Sequence, residues 1–148
     1  MITYHFGKFR FIEIFLPENK NDKMRFDNYI NAFDLLKKME KPVDVIGSIN
    51  GMEPILQTGK KNIGKIAVHH SISNSILIIA DNFSHLTHII EKISAIWENH
   101  PEEMFLQRNE QNLLSCKLFL KFIQESEDIN ANFWLNFAFK ELSVFIEM

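Results

Sequence analysis

The sequence contains little cysteine, glycine or proline, and no long uninterrupted run of apolar residues. Its single cysteine, Cys116, excludes an internal disulfide, and its N-terminus lacks the basic and apolar pattern of a secretion signal, so we expect a reducing, cytoplasmic location. No segment reaches the roughly 18 apolar residues of a membrane span, and no membrane contact is expected. Five glycines and four prolines in 148 residues argue against a fibrous or low-complexity chain.

Positive charge is scarce in the C-terminal third of the chain. The net charge is −3; residues 1–97 carry 12 basic and 10 acidic side chains, whereas residues 98–148 carry 4 basic and 9 acidic ones. A nucleic-acid-binding surface needs clustered positive charge to displace the counterions of the phosphates, so no nucleic-acid partner is expected. The acidic C-terminal part is suited to keeping the protein in solution or to docking on a basic protein.

Apolar residues, by contrast, are abundant. They make up 46% of the chain and include 14 phenylalanines, a composition that predicts an ordered globule. Because we find no long linker, we expect residues 1–148 to form a single domain. Residues 1–80 are expected to be mainly strands with one helix over residues 22–41, and residues 83–148 mainly helical.

Alternating and β-branched segments predict the strands. Turns are expected at Gly7–Lys8 and over residues 47–51. The stretch from Asn62 to Trp97 holds two strands joined by a hairpin and then an amphipathic helix, and we expect it to supply the centre of the sheet and the first helix over it. The predicted strands are residues 2–6, 9–16, 43–46, 54–58, 63–69 and 75–80.

Apolar residues three and four apart predict the helices. Besides residues 22–41, these are Phe83–Glu98, capped by Asn82 or Ser84, and residues 109–124 and 132–147. The fold class is therefore α+β, with a mixed or antiparallel sheet of four to six strands, covering helices and a C-terminal helical pair. That pair is apolar around most of its circumference, which predicts burial on two sides, either within the domain or in a homodimer. The apolar stripe of the helix from Phe83 comprises Leu86, Ile89, Ile90, Ile93, Ile96 and Trp97.

Catalytic patterns are incomplete. Residues 59–66 match a phosphate-binding loop at seven of eight positions, but Ile66 replaces the hydroxyl residue that holds magnesium, and a strand is expected to follow where the pattern requires a helix. His69 and His70 fall at the predicted hairpin turn, whereas His85 begins the helix roughly 17 Å away, at ~3.3 Å per residue. We therefore expect no metal site and no cofactor. Cys116 occupies an apolar helix position and is expected to be inert.

Part of the chain resembles the SUKH superfamily, whose members are largely bacterial immunity proteins. The matching segments are residues 45–51 (Val-Ile-Gly-Ser-Ile-Asn-Gly), residues 66–69 (Ile-Ala-Val-His) and residues 79–86 (Ile-Ala-Asp-Asn-Phe-Ser-His-Leu), followed by the aliphatic residues Ile89 and Ile90. The resemblance covers residues 43–95, and it extends to residue 16 if Leu-Pro-Glu at 16–18 corresponds to the Leu-Pro of the family. It implies an α+β fold and a protein that neutralises a cognate toxin.

The expected function is therefore protein binding without catalysis, most simply by an immunity protein that occludes its toxin. If the toxin is a basic nuclease, acidic side chains could mimic its polyanionic substrate; those predicted to contact it are Glu102, Glu103, Glu125, Glu127 and Asp128. Glu102 and Glu103 can also be explained by the first turn of a helix, where the dipole favours them. The alternatives are a small enzyme with a dispersed site using His69, His70 or His85, and a homo-oligomeric accessory protein.

Overall fold

Six strands lie side by side in the same order as in the chain. The computed structural model describes residues 1–15, 24, 44–58, 64–70, 73–126 and 128–139. All neighbouring strands within this part are antiparallel. The α+β class is confirmed, with an antiparallel sheet. Its strands are β1 (Ile2–Phe6), β2 (Arg10–Ile14), β3 (Asp44–Ile49), β4 (Glu53–Gln57), β5 (Ile66–His70) and β6 (Ser75–Ala80).

The position of β5 and β6 differs from the prediction. They are the last two strands in the order β1 to β6, so β3 and β4, and not the segment after Asn62, form the centre of the described sheet. Each strand pairs with the next in the chain, as consecutive elements usually do, and this includes β2 and β3, although residues 15–43 separate them. The segment that looks most strand-like in the sequence therefore lies at one edge.

Two predicted turns are shifted along the chain. Gly47 lies within β3, where it pairs with Ile14 of β2. A glycine is needed there because a Cβ would come 2.1 Å from the carbonyl oxygen of Glu13 on the neighbouring strand. The β3–β4 turn comes later, at Asn50 and Gly51, which have φ angles of 54° and 70°. The first hairpin loop holds three residues, 7–9, and not two, since Phe6 pairs with Arg10.

Three helices follow the sheet in the described residues: α1 (Phe83–Trp97), α2 (Glu110–Gln124) and α3 (Ala131–Ala138). Each begins after an asparagine whose side chain accepts a backbone N–H of the first turn, and these asparagines are Asn82, Asn109 and Asn130. The C-terminal helical pair is confirmed as α2 and α3. None of the described helices combines the length and hydropathy needed to cross a membrane. The predicted helix over residues 22–41, apart from Met24, and residues 140–147 of the predicted last helix lie outside the described residues.

Helix α1 lies over the sheet and contacts both edge strands, β1 and β6. Fifteen residues at ~1.5 Å each give a length of about 22 Å, close to the ~24 Å width of six strands spaced ~4.8 Å apart. Its predicted apolar stripe is buried, apart from the half-buried Ile96. The C-terminal end of α1 reaches the β1–β2 hairpin, where Trp97 contacts Gly7.

Helix α3 is attached to β6 and to α1 through buried hydrogen bonds. The indole Nε1 of Trp134 donates to the Ile79 carbonyl at 2.7 Å, and the Nε1 of Trp97 donates to the Ala138 carbonyl at 3.0 Å. Phe137 of α3 is buried and meets the ring of Phe6 edge-on, with 5.6 Å between centroids. One buried apolar cluster therefore includes residues of the sheet and of all three described helices.

Candidate functional site

The loop after α1 docks on the β1–β2 hairpin through a very close contact at Gly7. The backbone N–H of Lys8 donates to the Glu103 carbonyl at 3.0 Å. Gly7 has a φ of +68°, and a Cβ at this position would lie 2.4 Å from that carbonyl oxygen and 2.6 Å from a ring carbon of Trp97. Only glycine satisfies both the backbone angle and the space. This contact places residues 104 and 105 beside residues 9 and 10.

A cleft of about 230 Å³ opens at this junction. We call it the Arg10 cleft; its lining residues are Phe9, Arg10, Asn50, Met104, Phe105, Asn136 and Phe137. The rim is unusually apolar for a surface, because Phe9 is 60% exposed, Met104 is 49% exposed and Phe105 is 36% exposed. Phe137, in contrast, is buried in the core. Large apolar side chains clustered around a depression are typical of protein-contact surfaces.

Arg10 provides the charge of the cleft. Its guanidinium carbon lies 5.3 Å from the centre of the Trp97 ring and 5.7 Å from that of the Phe105 ring. Partial burial lowers the pKa of Arg10, although a guanidinium remains charged at neutral pH. No ion pair joins it to a carboxylate within the described ranges. The cation is therefore held in place by aromatic faces.

Two asparagines add polar groups to the cleft. Asn50 lies at the β3–β4 turn, where its side-chain oxygen accepts the Phe11 N–H at 2.9 Å and its backbone N–H donates to the Phe11 carbonyl at 2.8 Å. Because the oxygen is used in this way, the amide NH₂ of Asn50 remains as a donor. Asn136 is exposed on α3. Arginine and asparagine together can bind a carboxylate or carbonyl oxygen.

Two of the five predicted acidic contact residues, Glu102 and Glu103, directly precede Met104 of the cleft in the chain. Glu102 is exposed, in a turn that follows α1 and not in the first turn of a helix as predicted, because no helix begins until Glu110. Glu103 is partly buried, and its Oε1 lies 3.6 Å from Nδ1 of His100, while its Oε2 is buried. Glu102 is thus accessible to a partner, whereas the carboxylate of Glu103 faces its own loop.

The other predicted acidic residues lie near the opposite end of α1. Glu125 and Asp128 are exposed, and Asp128 pairs with Lys65 at 2.6 Å. Ser126, between them, donates to Asp81 just before α1 at 2.9 Å. The ~22 Å length of α1 therefore separates these residues from the Glu102 side. Glu127 lies outside the described residues. The structure does not bring the other four predicted acidic residues together in one patch.

The histidines are also dispersed. At the β5–β6 turn, Nε2 of the buried His69 lies 3.0 Å from Oδ1 of Asn74, and Nδ1 of His70 lies 3.0 Å from the hydroxyl of Ser73. Both contacts are within the hairpin. His85 lies at the other end of β6, on the first turn of α1. Within the described ranges no three His, Cys, Asp or Glu side chains are placed to hold a metal ion.

A serine, an aspartate and a histidine meet at the start of α1, but not as a catalytic relay. The Asp81 N–H donates to Nδ1 of His85 at 3.0 Å, and Ser126 donates to the Asp81 carboxylate. In a catalytic triad the histidine lies between the serine and the aspartate, whereas here the aspartate does. Burial lowers the pKa of His85, opposed by the Asp81 charge. The cluster links the residues at the start of α1 to the loop that follows α2.

Two other sequence patterns have structural explanations. Strand β5 begins directly after Lys65, as expected for a turn and contrary to the helix that a phosphate-binding loop requires. The Cys116 thiol is fully buried, and burial raises its pKa to about 12. Because the thiolate is the reactive form, this thiol is poorly suited to nucleophilic chemistry.

The Arg10 cleft was not predicted from the sequence. Its residues come from four separate segments, around positions 9, 50, 104 and 136, and no local pattern joins them. One usable signal was the apolar run of residues 104–106 in an otherwise mostly polar connection between two helices. A second was Phe9 at a hairpin turn, where polar residues are usual.

Comparison with known proteins identifies no relative. No family model, no curated protein and no solved structure matches the chain. The resemblance of residues 43–95 to the SUKH superfamily therefore stays a prediction, and function has to be inferred from the surface of the molecule.

Proposed function

We propose that this protein is a binding module that acts by contact with another protein, and that it serves as an immunity protein against a bacterial toxin. The observation that carries the binding role is the Arg10 cleft, with its exposed apolar rim and half-buried cation. The toxin as partner comes from the SUKH resemblance of residues 43–95. Inhibition would occur by occlusion, because binding one face of an enzyme is sufficient to exclude its substrate.

The composition of the cleft supports a protein contact. Aromatic residues, methionine and arginine are enriched at interfaces, and a few such side chains contribute most of the binding free energy. Here Phe9, Met104, Phe105 and Arg10 occupy one depression. The rings that hold Arg10 also reduce the conformational entropy that the side chain would lose on binding.

Charge outside the cleft would act mainly on the rate of association. Glu102, Glu125 and Asp128 are exposed at opposite ends of α1, so together they favour a basic partner over a wide area. Such dispersed charge steers encounter and is screened by salt. This distribution of acidic charge suits a toxin that is a basic nuclease domain.

The function can be tested in bacteria that express a candidate toxin encoded beside the gene for this chain. Co-expression of the wild-type protein is expected to restore growth. Phe9→Asp is expected to abolish protection, because it places a charge in the apolar rim. Leu118→Asp on α2 is the matched control, since Leu118 is also 60% exposed but lies away from the cleft. Failure of the wild-type protein to protect against the neighbouring toxin would reject the immunity role.

The acidic contribution has a separate test. Neutralising Glu102, Glu103, Glu125, Glu127 and Asp128 with their amides is expected to slow association with a basic toxin and to flatten its salt dependence. Association rates would be measured by stopped flow at several salt concentrations. Unchanged rates at every concentration would contradict electrostatic steering by these residues.

A second candidate function is homo-oligomeric assembly. Leu114 and Leu118 are exposed and lie four residues apart on α2, so they form one apolar strip. Light scattering should then show a dimer that Leu118→Asp converts to a monomer. Phe137 would be an unsuitable test position, because it is buried in the core and its replacement would report on folding.

A further inference from the structure

Arg10 differs from the other described cations whose partners are known. Lys65 is paired with Asp128, and Lys92 lies over one ring, that of Phe122, at 5.3 Å. Arg10 lies against two rings, at the wall of a cleft, with no carboxylate paired to it among the described residues. We propose that the Arg10 cleft receives a glutamate or aspartate side chain of the partner protein, flanked by apolar residues; this rests on the proposed function and specifies its partner.

The size of the cleft favours a single side chain over a small-molecule ligand. Its volume is about 230 Å³, whereas pockets for cofactors and drug-sized ligands are usually about 300–1,000 Å³. The residues at its rim are exposed and would contact whatever surrounds the inserted group. Phe9 and Met104 would then cover the apolar neighbours of the partner carboxylate, and their burial would add to affinity.

The donors of the cleft match a carboxylate. A guanidinium presents parallel N–H groups that can bind both oxygens of a carboxylate, and the Asn50 amide supplies a further donor beside it. Chain-terminal carboxylates are commonly captured by successive backbone N–H groups. Three of the residues that line this cleft, Arg10, Asn50 and Asn136, carry side-chain donors, and we therefore expect an internal acidic residue of the partner and not its C-terminus.

The local charge also favours an acidic group. The Lys8 ammonium lies 5.8 Å from the centre of the Phe9 ring, so a second cation besides Arg10 lies near the rim of the cleft. The carboxylate of Glu103 is turned toward His100. Glu102, two residues before Met104, is the exposed opposing charge nearest in the chain to the rim, and Glu102→Gln should therefore strengthen binding of an acidic segment.

The proposal can be tested with short peptides before any partner is known. The probe is the tripeptide Ac-Phe-Glu-Phe-NH₂, titrated into the ¹⁵N-labelled full chain and followed by NMR to about 10 mM, where a ligand with a Kd near ~1 mM is mostly bound. We expect shifts confined to the cleft and to the Arg10 Nε–H signal. The neutral Ac-Phe-Gln-Phe-NH₂ should bind roughly tenfold more weakly, because it lacks the charge-assisted hydrogen bonds.

Variants of the protein provide the matched controls. Arg10→Gln should remove the preference for Glu over Gln, and Arg10→Lys should keep part of it because the charge remains. Lys92→Gln, which removes a cation over a ring elsewhere, should leave the preference unchanged. The ¹⁵N spectrum of each variant reports whether it is folded, and the two peptides compared on the wild-type chain require no variant at all.

Three results would overturn the proposal. These are equal binding of the two peptides, the absence of shifts at the cleft up to the highest concentration, and equally tight binding of Ac-Phe-Gln-Phe-OH, whose carboxylate is terminal. The outcome is separable from the proposed function. A Glu preference at the cleft without protection in bacteria would reject the immunity role alone, whereas protection without any Glu preference would reject the carboxylate alone.

Discussion

Burial shifts the pKa values of individual side chains in this protein in different directions. The Cys116 thiol is excluded from water, and its pKa rises from 9.0 to about 12. For His85 and Arg10, desolvation acts in the opposite sense and lowers the pKa, since in all three cases the neutral form is favoured. Burial therefore makes the cysteine inert, whereas the arginine stays charged at neutral pH because burial lowers its pKa from a very high ordinary value.

The stability of the protein should fall at high pH through Cys116. Its pKa is higher in the folded than in the unfolded chain, so the thiol favours folding below pH 9 and this contribution is lost as the pH rises toward 12. Between pH 8 and pH 10 the free energy of unfolding should decrease by about 1 kcal/mol from this group. Urea denaturation at several pH values gives the free energy of unfolding of wild type and of Cys116→Ala, and the wild type should lose more of it as the pH rises. The same pH dependence in both proteins would contradict the prediction.

Gly7 should tolerate substitution much less than Gly51. Both have positive φ angles, which cost a side-chain-bearing residue about 1–2 kcal/mol. At Gly7 a Cβ would also overlap the Glu103 carbonyl and Trp97, whereas at Gly51 it meets only the Phe11 ring at 3.5 Å. Gly7→Ala should therefore cost roughly 2–4 kcal/mol of unfolding free energy, and Gly51→Ala no more than about 2. Similar losses in urea denaturation would show that the close approach contributes nothing.

At the scale of elements, each described helix depends on an asparagine at its start. Asn82, Asn109 and Asn130 accept backbone N–H groups at 2.8 Å, 2.8 Å and 2.9 Å. These N–H groups have no partner within the helix. The caps thus fix where each helix leaves the preceding loop, and the Asn130 backbone N–H also donates to the Ile78 carbonyl of β6 at 2.9 Å.

Removing the cap of α1 should weaken the fold measurably. Asn82→Ala is expected to lower the free energy of unfolding by about 1 kcal/mol. Asn132→Ala is the control, because this exposed asparagine lies inside α3, where alanine is the better helix former. Thermal denaturation followed by circular dichroism compares the two. A loss at position 132 as large as that at position 82 would contradict capping as the cause.

How far the sequence could predict these elements depended on whether the signal was local. The period of three to four apolar residues and the Asn82 cap identified α1, and alternation identified the strands. The extent of β3 was missed, because Gly47 was interpreted as a turn residue when it is required by the close approach of Glu13. The Arg10 cleft was missed for a related reason: the docking of a loop on Gly7 is a tertiary contact.

At the scale of the whole molecule, the helices and the sheet are joined by a few buried polar bonds within one apolar core. Trp134 is fully buried, and its indole binds the Ile79 carbonyl on β6. The indole of Trp97 donates a hydrogen bond to the Ala138 carbonyl, and its ring packs against Gly7. Trp97 of α1 thereby links this helix both to α3 and to the hairpin that carries Phe9 and Arg10.

Trp134→Phe should destabilise the whole protein. The smaller ring leaves the Ile79 carbonyl without its donor, which costs about 1–3 kcal/mol for a buried group, and it also leaves unfilled volume. Leu118→Ala, at an exposed position, should change stability by no more than about 0.5 kcal/mol. Urea denaturation followed by circular dichroism measures both. A midpoint for Trp134→Phe as high as that of Leu118→Ala would contradict this role for the indole.

The attachment of α3 to β6 also bears on how the protein avoids self-association. Within the described part of the chain β6 is an edge strand of the sheet, and the edge of a sheet offers carbonyl oxygens that can recruit a strand from another chain. The carbonyls of Ile78 and Ile79 are already taken, by the Asn130 N–H and the Trp134 indole. Helix α3 thus shields the aliphatic edge strand β6. Chains that lose α3 would be prone to polymerise through β6.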